Sequence, residues 1–403
     1  MTNFTVSYFT MTEKEAIEYA NSNLDFFQPG ANLTCKEIGD GNLNYVFRIV
    51  DQQTGQSLII KQAGPVARIS DEFKVSPDRN RIESEILRLQ GELAPGFVPE
   101  VYHYDPVMNC CAMEDLSDFE ILRTAFSTHK TFPNLAEHLS TFLVKTLLQT
   151  SDLVLGHKEK KELVKTFTNP ELCEITEDLV YTEPFYDCPR NDVFPGTRSY
   201  VEKEIWNDPH LALETAKLKF DFLTNTQSLL HGDFHTGSIF VTEEETKIID
   251  PEFAFYGPAG YDLGNVVANL IFAYVNGNSE IEDPEKRENY LGYLQSTIKK
   301  TIDLFKEKFV IDYKDKVTEK VASYDGFLEH YLNGILRDAA AVTGLELCRR
   351  VIGIAHVKDL TDITNPVRRA EAEIFCLKLG KSFILNRGNF QSGSDFTEAI
   401  NNN

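Results

Sequence analysis

The chain has 403 residues, and its 62 acidic and 40 basic side chains give a formal net charge of −22. This excess of negative charge argues against nucleic acid and anionic membrane surfaces as partners. Hydrophobic residues at 42% and charged residues at 25% are typical of a soluble globular protein, and the length predicts roughly two or three packed units.

Other bulk features favour a cytoplasmic protein. The seven cysteines are an odd number without a C-x-x-C pair, so neither a disulfide framework nor a zinc site is predicted. No basic segment followed by a long apolar run opens the chain, so we expect no secretory signal. The most apolar stretch, residues 266–275, contains Asn269 and is too short to cross a bilayer.

The first predicted elements are a helix at residues 13–21 and a hairpin around residue 40. Residues 34–38 and 45–50 are expected to form the two strands of the hairpin. The turn between them, residues 39–44, contains two glycines, which let backbone amides approach a phosphate. An Asp-Gly pair is also an ordinary hairpin turn, so this segment alone does not establish nucleotide binding.

The next predicted strand, residues 57–62, carries Lys61. In protein kinases a strand lysine at this place contacts the nucleotide phosphates and pairs with a glutamate of the following helix. A helix is predicted to begin near Pro77, and Glu83 is our candidate partner, although Glu85 could serve instead. The alternative for Lys61 is a lysine at the rim of the sheet.

Two further strands, at residues 98–104 and 109–113, complete a small antiparallel sheet. The chain then leaves the sheet, at the point where a kinase-like chain crosses to its second lobe. We therefore predict a nucleotide-binding lobe at 1–115, a larger helical lobe at 116–390 and a flexible tail at 391–403.

The second lobe is predicted to be mostly helical. An irregular segment is expected at 169–197, because it contains four prolines. The predicted helices have apolar side chains at helical spacing and lie at 136–151, 211–230, 265–275, 290–309 and 324–356.

The strongest signal is a loop acid, Asp233, followed by a predicted hairpin at 238–249 that ends in Asp250-Pro251-Glu252. In a kinase, such a loop acid is the base for the attacking hydroxyl, and the second acid anchors magnesium on the nucleotide phosphates. Glu252 could add an oxygen ligand to the same ion, and the hairpin would hold both acids close to Asp233. Taken singly, each acid could be an ordinary turn residue.

The same loop also fits a second class of site. His231, Asp233 and His235 have the H-x-D-x-H pattern of a metallohydrolase, but the other histidines lack the spacing of further ligands. We therefore expect His231 to brace the loop, and the role of His235 is left open.

Three motifs, HGDFHTGS at 231–238, IDPEFAFYGPAGYDLGN at 249–265 and EIGDGNLNYVFRI at 37–49, resemble those of the 5-methylthioribose kinases. These enzymes belong to the aminoglycoside phosphotransferase and choline kinase group, and the resemblance covers residues 15–385. It implies an α+β, protein-kinase-like fold with two lobes, a small antiparallel β-sheet lobe with one main helix and a larger helical lobe. It also implies ATP-dependent phosphorylation of the anomeric hydroxyl of 5-methylthioribose in methionine salvage, with Mg2+ as cofactor, by a homodimer.

The resemblance also assigns roles to residues. Asp233 is expected to be catalytic and to contact the sugar together with Arg349 and Arg350. Magnesium is expected on Asp250 and Glu252. The residues expected to bind ATP are Asn44, Lys61, Glu83, Asp115, Leu116, Ser117, Asp250, Pro251 and Glu252.

Two positions need comment. Most members of the wider group have an asparagine five residues after the catalytic aspartate as a magnesium ligand, but this chain has Ser238, so Glu252 is expected to carry more of that role. The twin arginines Arg349 and Arg350 could form surface ion pairs, but adjacent residues on a helix diverge, so at least one should face the core or a cleft. A guanidinium pair would repel a polycationic aminoglycoside.

Two other functions stay open. One is a different small-molecule kinase on the same fold, acting on homoserine, choline or an aminoglycoside. The other is a pseudokinase that binds nucleotide without catalysis, and the presence of Lys61, Asp233 and Asp250 argues against it.

Overall fold

The structure, a computed structural model, describes residues 4–38, 44–64 and 76–403. Of the glycine-bearing turn predicted at residues 39–44, residues 39–43 lie outside these ranges. The chain divides into two compact units, one of Met1–Phe119 with Lys247–Ala254 and one of Glu120–Thr246 with Phe255–Asn403. The sequence predicted a single crossing after residue 115 and did not predict the return of eight residues to the first unit.

The first unit is built on an antiparallel sheet with strand order β1-β2-β3-β5-β4. This confirms the predicted small antiparallel sheet with one main helix between its strands. The elements in chain order are α1 (Glu13–Asn23), β1 (Leu33–Glu37), β2 (Asn44–Asp51), β3 (Ser57–Ala63), α2 (Arg79–Leu93), β4 (Val101–Asp105) and β5 (Cys110–Glu114).

The helix α1 closes one hydrophobic core of the first unit. Thr12 and Glu15 form a reciprocal cap at its N-terminus, which satisfies two backbone N–H groups that would otherwise lack partners. Tyr19 is fully buried in a cluster with sheet residues such as Phe47 and Ile60, and its hydroxyl donates to Asp105 at 2.9 Å.

The helix α2 holds the central strand from the other side. Lys61 lies on β3 opposite Val46 of β2 and Cys111 of β5, so its backbone is fixed by strands on both sides. The amide of Asn80 on α2 donates to the carbonyl oxygen of Lys61 at 2.9 Å. The same helix contacts the 3-10 turn Pro251–Phe253. These contacts fix where the Lys61 side chain can point.

The second unit is mostly helical, as predicted. Its short strands β6 and β8 pair antiparallel, as do β7 and β10, and β9 carries the chain from the second unit into the first. The elements are β6 (Glu120–Ile121), α3 (Leu122–Ser127), α4 (Leu135–Gln149), α5 (His157–Thr166), α6 (Pro170–Leu179), α7 (Arg198–Val201), α8 (Pro209–Thr224), β7 (Ser228–Leu229), β8 (Ile239–Val241), β9 (Thr246–Ile248), β10 (Tyr256–Gly257), α9 (Gly260–Glu280), α10 (Pro284–Lys316), α11 (Phe327–Ile352), α12 (Lys358–Thr361), α13 (Pro366–Leu385) and α14 (Gly393–Asn401).

Glycines allow the central helices of the second unit to approach closely. A Cβ at Gly264 of α9 would lie 2.5 Å from the carbonyl oxygen of Ala339 on α11. Gly344 of α11 and Gly380 of α13 face each other in the same way. Because a side chain at these positions would push the helices apart, α9 and α11 can hold their polar residues in a fixed arrangement.

Two sequence-based predictions about residues 169–230 of the second unit were wrong. Residues 169–197 were expected to be irregular but include α6, because Pro170 occupies the first turn, where proline is favourable. The helix expected at 211–230 ends at Thr224 and is followed by β7.

The part of the chain that the structure describes contains no helix that is both long and apolar enough to span a membrane.

The C-terminal tail was expected to be flexible, but residues 393–401 form α14. A capping box between Ser392 and Asp395 starts this helix. Phe396 is fully buried and makes a tilted contact with Phe383 and an edge-to-face contact with Phe390, at ring-centroid distances of 5.5 and 5.0 Å. The polar composition of the tail concealed this aromatic anchor.

We therefore expect Phe396→Ala to destabilise the protein by roughly 3–5 kcal/mol, because it leaves a cavity in an aromatic cluster. The measurement is urea unfolding followed by circular dichroism. Val367→Ala is the matched control, since Val367 is 64% exposed and should change stability by less than about 0.5 kcal/mol. Equal stability of both variants would contradict the docking of α14.

Candidate active site

In the first unit, the predicted nucleotide-binding residues meet around Lys61. Its ammonium lies 2.8 Å from Oε1 of Glu83 and 2.5 Å from Oδ1 of Asp250. Glu85, the alternative partner, pairs with Arg81 at 2.9 Å instead. The structure therefore places Glu83, and not Glu85, beside Lys61.

Three carboxylates keep Lys61 charged. Burial lowers the pKa of Lys61, but the nearby carboxylates of Asp250, Glu83 and Glu252 outweigh this effect and hold the pKa above its ordinary value. Only 8% of the Lys61 side chain is exposed. A buried ammonium group in a cluster of carboxylates is suited to bind a phosphate oxygen when one is present.

Asp250 has an unusual backbone conformation. Its φ and ψ of 60° and 44° lie in the left-handed region, which costs a residue other than glycine roughly 1–3 kcal/mol. The following residue, Pro251, begins the 3-10 turn. The side chain of Asp250 is 43% exposed, so this conformation presents a carboxylate to solvent at the edge of the Lys61 cluster.

Glu252 is held differently, in a buried polar network. Its Oε2 accepts a hydrogen bond from Nδ2 of Asn44 at 2.9 Å and lies 3.5 Å from Nε of Arg79. Arg79 also donates to Oδ1 of Asn44 and to the carbonyl oxygen of Gly64. Burial raises the pKa of Glu252. Two of the predicted ATP-binding residues, Asn44 and Glu252, therefore contact each other through side chains.

Sequence reasoning missed Arg79. A cation in the first turn of a helix is unfavourable because of the helix dipole, yet Arg79 begins α2 and is only 2% exposed. That conflict is the signal that could have identified it as a buried partner of an acid.

The predicted crossing segment is tied to the sheet by Arg48. Its Nε donates to Oδ2 of Asp115 at 2.6 Å, and its Nη2 donates to the Ser117 hydroxyl at 2.9 Å. Leu116, between them, is buried. The segment is thus held in one conformation, which is what a binding site for a flat base requires.

In the second unit, Asp233 lies in a loop whose shape is fixed by Asp262. The backbone N–H groups of His231 and Gly232 donate to the Asp262 carboxylate at 2.7 and 3.0 Å. Gly232 has a φ of +83°, a conformation that favours glycine. This arrangement lets the side chain of Asp233 project, and it is 31% exposed.

The imidazole of His235 and two guanidinium groups keep Asp233 ionised. Burial raises the pKa of its carboxyl, but His235 and the guanidinium groups of Arg350 and Arg349 outweigh burial and hold the pKa well below its usual range. Nε2 of His235 lies 3.3 Å from Oδ2 of Asp233. A carboxylate with these surroundings is available to accept a hydrogen bond from a hydroxyl group.

The twin arginines are buried and do not form surface ion pairs. Both share the fully buried Glu346 on the same helix, with Nε–carboxylate distances of 2.5 Å for Arg349 and 2.6 Å for Arg350. Sequence reasoning missed Glu346, although its spacing of three and four residues from the arginines is the helical spacing that permits such pairs.

Arg123 is a further residue that the sequence did not reveal. It lies on α3, and its guanidinium makes only long contacts, 3.4 Å to Thr236 and 3.5 Å to Asn269. No carboxylate of the described residues lies within ion-pair distance of it. Burial and the nearby Arg350 lower the pKa of Arg123, opposed by Asp359 and Asp233, so it adds positive charge near the Asp233 loop.

The metallohydrolase alternative finds no support. Within residues 4–38, 44–64 and 76–403, no group of three or more His, Cys, Asp or Glu side chains could hold a metal ion. In the loop itself, Nδ1 of His235 already accepts from two backbone N–H groups.

Comparison with known proteins decides the family. The model of the phosphotransferase enzyme family matches residues 191–295. A methylthioribose kinase from Bacillus pumilus is 43% identical over 98% of this chain and 97% of its own length. One from Geobacillus kaustophilus is 44% identical over 96% of each. This chain belongs to the methylthioribose kinase family.

Membership in the methylthioribose kinase family agrees with the fold. The crystal structure of a choline kinase from Cryptosporidium parvum superposes with a TM-score of 0.51 at 13% identity, over 93% of this chain and 97% of that one. At this identity the likeness concerns the fold alone. The chain is thus a kinase with the protein-kinase-like α+β fold predicted from its sequence.

For this kinase we expect Glu346→Gln to lower stability by roughly 3–5 kcal/mol at neutral pH, because two buried guanidinium groups lose their carboxylate. Burial raises the pKa of Glu346, but Arg349 and Arg350 lower it from 4.5 to about 2. A lowered folded-state pKa stabilises the protein above 4.5, and this contribution is lost as the pH falls toward 2.

The difference in the free energy of unfolding between Glu346→Gln and the wild type should therefore shrink as the pH falls through this range. Chemical denaturation at neutral pH and at about pH 3 measures it. Glu244→Gln, at an exposed acid in a turn, is the control, and equal stability of the two variants would contradict the buried pairing.

Proposed function

We propose that this kinase transfers the γ-phosphoryl group of ATP to the anomeric hydroxyl of 5-methylthioribose and forms the 1-phosphate, a step of methionine salvage. The observation that carries the proposal is the ionised Asp233 beside Arg349 and Arg350, in a chain that shares 43% identity with a methylthioribose kinase. We also propose that the protein is a homodimer, on the family resemblance alone, and that it is cytoplasmic, as the features of its sequence favour.

The nucleotide is proposed to bind the first unit. Lys61 would contact phosphate oxygens, since its ammonium stays charged among carboxylates. Glu83 would position Lys61. Asn44 would contact the nucleotide while its side chain is held by the hydrogen bond to Glu252. The segment 115–117 would meet the adenine edge through its backbone.

Magnesium is proposed to bind Asp250 and Glu252, with Pro251 between them. The donor chemistry fits, because hard cations take carboxylate oxygens and magnesium in kinases uses few protein ligands. Asp250 fits best, as its carboxylate is partly exposed, whereas Glu252 already holds Asn44 and Arg79. When bound, the ion neutralises charge on the nucleotide phosphates.

The sugar is proposed to bind the second unit. Asp233 would orient the anomeric hydroxyl and accept its proton as the bond to phosphorus forms. Arg349 and Arg350 would hold sugar hydroxyls and the transferred phosphoryl group, whose charge guanidinium groups bind well. Arg123 would add to the positive potential. Glu346, which fixes both arginines, would keep their geometry constant during turnover.

We expect Asp233→Asn to reduce kcat by roughly 10² to 10⁴, because the amide cannot accept the proton. ATP affinity, measured by calorimetry, should be nearly unchanged. Asp187→Asn is the control, since Asp187 is an exposed acid on the same unit. A variant that kept more than about a tenth of wild-type turnover would refute the role of Asp233.

A substrate panel assayed by ADP release should show activity with methylthioribose, little with ribose and none with kanamycin or choline. Ribose lacks the methylthio group and would leave an apolar surface unfilled, and the cationic compounds would meet guanidinium groups. Arg349→Ala and Arg350→Ala should each impair turnover of methylthioribose but not ATP binding. Comparable rates with ribose, or full activity of both variants, would overturn the proposed substrate.

A further inference from the structure

The proposed reaction leaves two polar side chains of the catalytic loop without a role, His235 and Ser238. Both belong to the second unit, where His235 precedes the 3-10 turn Thr236–Ser238 and Ser238 is its last residue. The side chain of His235 is 16% exposed, and Ser238 is buried. A buried serine at the position where related kinases have a magnesium-binding asparagine calls for a physical explanation.

The donors around His235 determine which of its ring nitrogens carries the hydrogen. The backbone N–H groups of Gly237 and Ser238 both donate to Nδ1 at 3.1 Å. The hydroxyl oxygen of Ser238 lies 3.1 Å from the same nitrogen. Nδ1 is therefore an acceptor, and a neutral imidazole that accepts at Nδ1 carries its hydrogen on Nε2.

The protonated nitrogen faces the proposed base. Nε2 of His235 lies 3.3 Å from Oδ2 of Asp233, so the N–H of the imidazole faces one oxygen of the carboxylate at close range. Such a contact favours the ionised carboxylate and restrains rotation of its side chain. A carboxylate that must meet a hydroxyl in a fixed direction benefits from that restraint, because small errors in geometry lower the rate steeply.

Gly237 makes this arrangement possible. A Cβ at residue 237 would lie 2.9 Å from Cε1 of His235 and 3.1 Å from Cζ of Arg123. A side chain there would displace the imidazole. The imidazole can lie against the turn because residue 237 has no side chain.

We propose that Ser238 and His235 form a positioning chain for Asp233, in which Ser238 and the backbone of the turn hold Nδ1 and the imidazole holds the carboxylate. The hydroxyl of Ser238 thus serves the imidazole and not a magnesium ion. The inference rests on the proposed function, because it requires Asp233 to be the base.

Two substitutions of His235 separate this role from simple capping of the turn. Asparagine keeps an acceptor near Nδ1, where it can cap the backbone, but has no donor at the position of Nε2. Glutamine reaches Asp233 with an amide N–H but loses the cap. We expect His235→Asn to lower kcat roughly 10- to 100-fold with ATP affinity unchanged, and His235→Gln to recover much of the loss despite lower stability.

A magnesium titration tests Ser238. Ser238→Ala should lower kcat at saturating magnesium without changing the half-saturating magnesium concentration. If Ser238 were a magnesium ligand, that concentration would rise while kcat at saturation stayed near the wild-type value, and this outcome would overturn the part of the inference that concerns Ser238.

Thermal melts and ATP calorimetry establish that each variant is folded. Should His235→Asn not fold, Gly237→Ala replaces it, since displacement of the ring should lower kcat in the same way. A kcat for the asparagine variant within about twofold of wild type, or a glutamine variant no more active than the asparagine variant, would overturn the positioning of Asp233. Asp233→Asn separates failure of this inference from failure of the proposed function, because turnover above about a tenth of wild type in that variant refutes Asp233 as the base, whatever the His235 variants show.

Discussion

The buried ammonium of Lys61 is the constraint on which the first unit depends. A charged lysine is expensive to bury unless acids compensate it, and the compensation here comes from two separate parts of the chain. Glu83 lies on α2, while Asp250 and Glu252 lie in the segment that returns to this unit after β9. Removal of one partner from such a cluster costs roughly 3–5 kcal/mol. The interactions of the Lys61 ammonium with these acids therefore hold a strand, a helix and a distant turn in one arrangement.

In the second unit the buried charges are acids, and hydrogen-bond donors compensate them. Asp262 is held by two backbone N–H groups, and Glu346 by two guanidinium groups. Each acid holds other polar residues in place. Asp262 fixes the loop that presents Asp233, and Glu346 fixes Arg349 and Arg350. Close helix packing at glycines makes this rigid. The polar residues are thus preorganised, as the proposed reaction would require.

The sequence predicted the features that follow from local patterns. The alternation of apolar and polar side chains predicted the strands around Lys61. The positions of Asp233 and Asp250, each after an apolar segment, predicted that both are loop acids. It could not decide between Glu83 and Glu85, because residues two apart on a helix point about 200° apart and only the docking of α2 selects one.

Other residues depend on packing that no local pattern encodes. Arg79 and Arg123 look like ordinary surface arginines in the sequence, and their burial follows from the position of whole helices. The prolines of 169–197 suggested loop and concealed α6, and the polar tail concealed the anchor Phe396. In each case composition was a poor guide, because one or two buried contacts determined the structure.

The central claim concerns the bond that the enzyme makes. Methylthioribose labelled with ¹³C at its anomeric carbon, incubated with the enzyme, ATP and magnesium, can be followed by ³¹P NMR. The account predicts a new phosphate monoester signal that is split by coupling to the labelled carbon. A product whose phosphorus signal shows no coupling to that carbon, or the absence of any new ester, would contradict it.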